Sequence, residues 1–251
     1  MLDQILQDKR AEVAKLDEQL LRGVRPSARD VTYAIGTGRT DLVVFVELKR
    51  RDPWAGEMRP GLDLVAVAGR LQDAGASALV VDTESRHWGG GRDDLVALER
   101  QGMQIPLVRN DFIVEELQLY ESRRAGADSV FLRPALLDGA RLDSALRVAA
   151  SMHMVGIVLV DSAPELERAL EAAAPVIAIS NRDLETGRID LGKTLALAPR
   201  VPASRAVLSC FGIRTPDDVR RLRDCVDGIC LGTALLQAAD PAARLAELVG
   251  T

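Results

Sequence analysis

The sequence predicts an α/β fold, a single (β/α)8 barrel with an extra N-terminal helix, and three observations carry that prediction. Eight short apolar runs recur along the chain, stretches of helical period separate most of them, and the runs are apolar throughout rather than alternating. A strand hidden on both faces loses polar alternation, so such runs belong to a parallel sheet covered by its own crossover helices. Eight units in about 210 residues suffice to close a barrel. The 251 residues, 47% hydrophobic and 27% charged, provide core for one domain over 1–251, with 1–40 as a helical extension.

Each element follows in order. Leu2, Ile5, Leu6, Val13, Leu16 and Leu20 approximate an i, i+3/i+4 face among charges, which reads as a helix lying across one barrel mouth. A turn-rich stretch follows from Gly23 to Arg39. The strands are VVFVEL at 43–48, ALVVD at 78–82, IPLVR at 105–109, SVFLR at 129–133, VGIVLV at 155–160, PVIAIS at 175–180, AVLSC at 206–210 and GICLG at 228–232. Amphipathic helices are expected at 62–74, 113–125, 142–152, 164–173, 216–225 and 234–248. An open doubly wound sheet would need a Gly-rich dinucleotide fingerprint after the first strand, where Lys49-Arg50-Arg51-Asp52-Pro53 stands instead. Gly89-Gly90-Gly91 lacks the required spacing.

Composition excludes several function classes. A net charge of −5, with no basic stripe interleaved with aromatics, argues against nucleic-acid binding. No metal is expected, because His87 and His153 lie far apart and Cys210, Cys225 and Cys230 form no CxxC pair. The cysteine pattern and the charged opening segment point to a cytoplasmic protein with no signal peptide or membrane span. Of 32 basic residues only Lys9, Lys15, Lys49 and Lys193 are lysines.

Chemistry in this fold gathers at the C-terminal strand ends. The positions there are Glu47, Lys49, Asp82, Glu84, Asn110, Arg133, Leu159, Asp161, Ser180, Asn181, Arg182, Cys210, Gly212 and Gly232. Period-two alternation puts Glu47 and Lys49 on one strand face, where a confined mouth would let each stabilise the other's charge and leave the lysine a positioned proton donor. A plain structural ion pair is the alternative. Gly212, Gly232 and Thr233, in the turns after strands seven and eight, suit a phosphate grip, with Thr233 as N-cap or hydroxyl donor. The same glycines would also serve tight turns alone. His87 reads as a solvated loop residue and Cys210 as packing; Asp93-Asp94 and Asp217-Asp218 read as helix-start carboxylates.

VFVELKRRDPWAG, PLVRNDFIVEELQLYESRRAGADSVFL, ISNRDLETGRIDL and VLSCFGIRTPDDV resemble the indole-3-glycerol-phosphate synthase family along essentially the whole chain. That family closes an indole ring on a carboxyphenylamino-deoxyribulose phosphate, losing CO2 and then water, without cofactor or metal. The resemblance implies Lys49 as acid catalyst with Glu47, Arg182 and Leu184 in substrate binding, Trp88 and Phe112 as an aromatic wall, and Gly212, Gly232 and Thr233 at a phosphate. Glu84 matches a glutamate position at the end of strand two. Departures are equally specific: Asn110 stands for a catalytic lysine, Leu159 for a glutamate, Ser180 for an asparagine, Cys210-Phe211-Gly212 for Glu-Ser-Gly, and Asp52 for a phosphate-arm serine. Asp161, two residues beyond Leu159, is a candidate replacement carboxylate. The expected function is therefore a lyase of this kind with altered chemistry on a phosphorylated arylamino-sugar-type substrate, in a monomer or weak homodimer. The alternative is a non-catalytic binding or scaffolding barrel.

Overall fold

The computed structural model describes residues 2–36 and 42–250. Eight parallel strands close a barrel in chain order: β1 (Val43–Leu48), β2 (Ala78–Asp82), β3 (Leu107–Asn110), β4 (Ser129–Leu132), β5 (Val155–Val160), β6 (Val176–Ser180), β7 (Ala206–Cys210) and β8 (Gly228–Leu231). All eight predicted runs are strands. Two begin one or two residues late because Pro106 and Pro175 cannot donate to the ladder. Alternation divides each strand. Val43, Phe45, Val80, Val108, Phe131, Ile157, Ala178 and Leu208 fill the interior, and Val44, Val46, Leu48, Leu79, Leu132 and Ile177 meet the helices outside.

The outer layer is formed by α3 (Leu64–Asp73), α4 (Arg92–Gln101), α5 (Leu117–Arg124), α6 (Gly139–Ser151), α7 (Ala163–Glu171), α8 (Gly192–Leu197), α9 (Pro216–Leu222), α10 (Thr233–Leu236) and α11 (Pro241–Val249). Helix α4 was expected only by its start, at Asp93-Asp94, and α8 falls where no helix was expected. The dense charge of RDDLVALERQ masks a two-residue buried face, Leu95 and Leu98, and α8 is only six residues long. The segment expected as one helix over 234–248 is two, because Asp240 caps α11 and Pro241 opens it. In α9 the two acidic residues of the first turn are structural, Asp218 completing a capping box with Thr215. A Cβ on Gly156 would crowd Leu132 and Leu146, so its absence lets α6 approach β5 closely.

The N-terminal extension covers both ends of the barrel. Helix α1 (Leu2–Val13) lies at the C-terminal mouth, where Ile5 packs on Trp88 and Phe112. Helix α2 (Val31–Ile35), capped by Asp30, puts Val31 and Ile35 under the interior cluster as a floor. Of the turn-rich stretch, residues 37–39 lie outside the described residues, as do Met1 and Thr40 of the extension. No helix among the described residues is long and apolar enough to cross a membrane.

Candidate active site

A cavity of about 890 Å³ of open space occupies the C-terminal mouth. Glu47 and Lys49, at the end of β1, turn into it from the same strand face. Lys49 Nζ donates to Glu47 Oε2 at 2.6 Å and to Asp52 Oδ2 at 2.9 Å, with all three residues buried. Burial alone disfavours the ammonium, but the carboxylates of Glu47, Asp82 and Asp52 outweigh it and hold Lys49 above the usual lysine range.

Asp52 faces inward on a short hairpin, Arg51–Asp52 against Gly56–Glu57, that follows β1. Its Oδ1 accepts from the backbone N–H groups of Trp54 and Ala55 at 3.0 Å each, and Arg182 stands 3.4 Å from Oδ2. Burial raises this carboxyl, yet Lys49 and Arg182 bring it below the ordinary aspartate value. One carboxylate thereby pairs with both cations to which the resemblance gives roles, Lys49 in catalysis and Arg182 in substrate binding. Arg182 also lies over the Trp54 ring, its Cζ 4.7 Å from the centroid.

Behind Glu47 stands Asp82, at the end of β2. Asn110 Nδ2 donates to its Oδ1. Its Oδ2 is buried with no conventional donor, and the group in hydrogen-bonding reach is the Glu47 carboxyl, another acceptor. Two buried carboxyls can share a bond only through a proton. Burial first, then the Glu47 charge, push Asp82 well above the usual carboxylate range against the pull of Lys49. Asn110 lines the cavity as an amide, in place of the lysine the family pattern has there.

The aromatic wall is Trp54, Trp88 and Phe112, with Trp54–Trp88 centroids 6.2 Å and Trp88–Phe112 centroids 5.8 Å apart, and Leu184 and Leu136 beside them. Trp54 was given no role from the sequence, although it is one of only two tryptophans and follows β1 directly in RRDPWAG. Asp82 and Arg133 were marked only as strand ends. Their inward parity was the available signal, since Asp82 follows Val80 and Arg133 follows Phe131 at two-residue steps.

A smaller recess beside the cavity is lined by Lys49, Arg182, Phe211, Gly212, Arg214, Gly232 and Thr233. Thr233 does not cap: Gly232 is the N-cap and Thr233 the first residue of α10. A Cβ at Gly232 would overlap the Glu47 carboxylate, so this glycine is what lets β8 close against β1. Phe211 holds φ +69°, a left-handed conformation that costs a non-glycine residue about 1–3 kcal/mol. Asn181 fixes the turn by donating to the carbonyls of Cys210 and Phe211 at 3.2 and 3.1 Å.

Other predicted site residues fall elsewhere. The Glu84 carboxylate accepts from the backbone of Arg86, His87 and Trp88, which spends it on the loop rather than the cavity. Cys210 is wholly buried in the barrel beside Cys230, below the cavity lining. Asp161 is different: it lines the cavity together with Leu159, and its carboxylate lies 3.8 Å from Lys193. Ser180 lines the cavity, its hydroxyl donating to the Arg182 carbonyl at 3.0 Å. Among the described residues no group of three or more His, Cys, Asp or Glu is placed to hold a metal ion.

A closed barrel whose ionisable side chains and aromatic wall converge on the C-terminal mouth defines a (β/α)8-barrel enzyme. The solved structure of 3-hexulose-6-phosphate synthase from Salmonella typhimurium shares this fold, with a TM-score of 0.67 at 15% identity over 83% of this chain and 97% of that one. Thiamine phosphate pyrophosphorylase from Pyrococcus furiosus does so with a TM-score of 0.62 at 18% identity, over 82% and 93%. The family model for indole-3-glycerol phosphate synthase matches residues 2–248, and the chain belongs to that family, a family of carboxy-lyases. Indole-3-glycerol phosphate synthase of Laribacter hongkongensis is 37% identical over 99% of this chain and 98% of its own. That of Dehalococcoides mccartyi strain 195 is 40% identical over 82% and 81%.

Proposed function

We propose that the protein is an indole-3-glycerol-phosphate-synthase-like lyase with altered chemistry, acting on a phosphorylated arylamino-sugar-type substrate. The observation that supports it most is the buried Glu47–Lys49 pair facing the cavity, next to the Gly212–Gly232 recess that Lys49, Arg182 and Arg214 also line. Lys49 acts as the proton donor to the oxygen that departs as water, and Glu47, with the protonated Asp82 behind it, keeps the ammonium charged and takes the proton returned. The aryl ring stacks against Trp88 and Phe112, with Leu184 closing one side. Altered chemistry follows from Asn110 and Leu159, neither of which titrates where the family has an acid and a base. Each such group contributes roughly 10²- to 10⁴-fold in rate. The protein acts in the cytoplasm, where its free cysteines stay reduced.

The test is a panel of arylamino sugar phosphates incubated with wild type and Lys49→Ala, with CO2 release and ring closure scored separately. A loss of at least about a hundredfold in Lys49→Ala is expected. Equal turnover by the two removes the reading.

The second reading, a non-catalytic binding barrel, is favoured by one observation: Asp52 ties up both Lys49 and Arg182. A substrate analogue that raises the melting temperature without product appearing selects it.

A further inference from the structure

Among the described residues only two buried side-chain polar atoms lack a hydrogen-bond partner, Asp82 Oδ2 and Arg133 Nε. The first has the Glu47 carboxyl in reach. The second has nothing equivalent. Arg133 follows β4 and lines the mouth cavity, and among the described residues no carboxylate lies within ion-pair distance of it. Its guanidinium lies over the Phe112 ring, the centroid 5.5 Å from the guanidinium carbon, and Asp82, Glu165 and Asp161 act on it from further off. Lys49 and Arg182, the other cations of the cavity wall, are both held by Asp52. An arginine keeps its charge at neutral pH, and leaving a guanidinium largely out of water without an anion is costly. Asp82, Glu165 and Asp161 act on Arg133 only from beyond pairing distance, so a direct partner for its Nε has to come from an incoming molecule.

We infer that Arg133 is the anion-binding subsite of this cavity, taking the carboxylate of an aromatic acid whose ring lies along Phe112 and Trp88. The inference deepens the proposed function, on which it rests for the cavity's being a substrate site, and assigns the ligand's acid group to β4 rather than to Arg182. A planar guanidinium pairs a planar carboxylate through two parallel hydrogen bonds. The aromatic wall starts at the same guanidinium, so a carboxylate carried directly on a ring reaches both at once.

The protein carries its own probe, because its two tryptophans, Trp54 and Trp88, both line the cavity. Benzoate, the isosteric neutral benzamide and inorganic phosphate are titrated separately against intrinsic fluorescence in wild type, Arg133→Met, Arg133→Lys and Arg182→Met. Wild type and Arg182→Met are expected to prefer benzoate over benzamide by at least about tenfold, the discrimination expected of a charge-assisted pair. In Arg133→Met the ratio falls to about one while benzamide binding persists, and Arg133→Lys lies between. Unliganded Arg133→Met should melt higher than wild type, since it removes a stranded charge. The inference is overturned if wild type shows no preference, if Arg133→Met keeps it, if Arg133→Met melts lower, or if phosphate displaces benzoate in an Arg133-dependent way. No turnover is read, so failure of the lyase reading and failure of this subsite are separate results.

Discussion

Two buried ionic clusters sit either side of one strand end and obey different rules. Arg109, Asn110 and Asp111 are consecutive, yet Asn110 turns into the mouth while its neighbours turn outward under α1. The outer cluster is closed. Arg109 donates to Thr83 Oγ1 at 2.8 Å, Glu121 at 2.8 Å, Ser122 at 3.0 Å and Asp111 at 2.8 Å. Lys9 of α1 completes it, 2.9 Å from Asp111, and Arg109, Lys9 and the Thr83 hydroxyl hold that carboxyl far below the usual aspartate range despite its burial. The inner cluster leaves Asp82 Oδ2 and Arg133 Nε without a donor or acceptor of the ordinary kind. A cluster that only fastens a helix satisfies every atom, because each orphan costs about 1–3 kcal/mol. Orphans are kept where a ligand is to fill them.

The largest break in this comparison is Lys49→Met, which strands the Glu47 and Asp52 carboxylates together. It should destabilise by ~3–5 kcal/mol at neutral pH. Thermal unfolding at pH 7 and pH 5 checks it, the deficit shrinking at the lower pH as the stranded carboxyls take up protons. A deficit typical of an exposed site would mean the mouth cluster is wet.

Asp111→Asn breaks the outer cluster and should cost ~2–3 kcal/mol, with easier proteolysis after α1. Asp111 has a lowered folded value, so its contribution is present above the unfolded aspartate value near 4 and disappears as pH falls toward the folded one. Unfolding curves of the variant and wild type should therefore converge only in strong acid, and a gap that widens on acidification would contradict the assignment.

Gly232→Ala inserts a methyl group against the Glu47 carboxylate and should cost ~2 kcal/mol through overpacking. It also shifts Glu47 off Lys49, so turnover should drop further than stability does; unchanged turnover would separate Glu47 from the chemistry.

Asp82→Asn has the smallest effect and the opposite sign, stabilising by ~1 kcal/mol at pH 7. The folded Asp82 carboxyl gives up its proton at higher pH than the unfolded one, so the wild-type penalty grows as pH rises between the two. The gain should vanish near pH 3, and denaturant melts at both pH values would show it.

Much of this was legible in the residues. Eight apolar runs could only be buried strands, and the two-residue step from Glu47 to Lys49 put both on one face whatever lay around them. The matching step from Leu159 to Asp161 also brought both to the cavity lining, although the Asp161 carboxylate lies 3.8 Å from Lys193. Glu84 was misread, since three backbone N–H groups of its own loop claim it. Trp54 and Arg133 carried too little local pattern, as their importance lies in what stands across the cavity.

The sequence by itself determined the strand count, the closed barrel and the inward parity of each strand-end side chain, because periodicity and burial act within a few residues. Only the tertiary structure decided which charges meet. Asp52 reaches Arg182 across 130 positions of chain, while among the described residues no carboxylate comes within pairing distance of Arg133, and ion pairing depends on distances of a few ångströms that no local rule encodes.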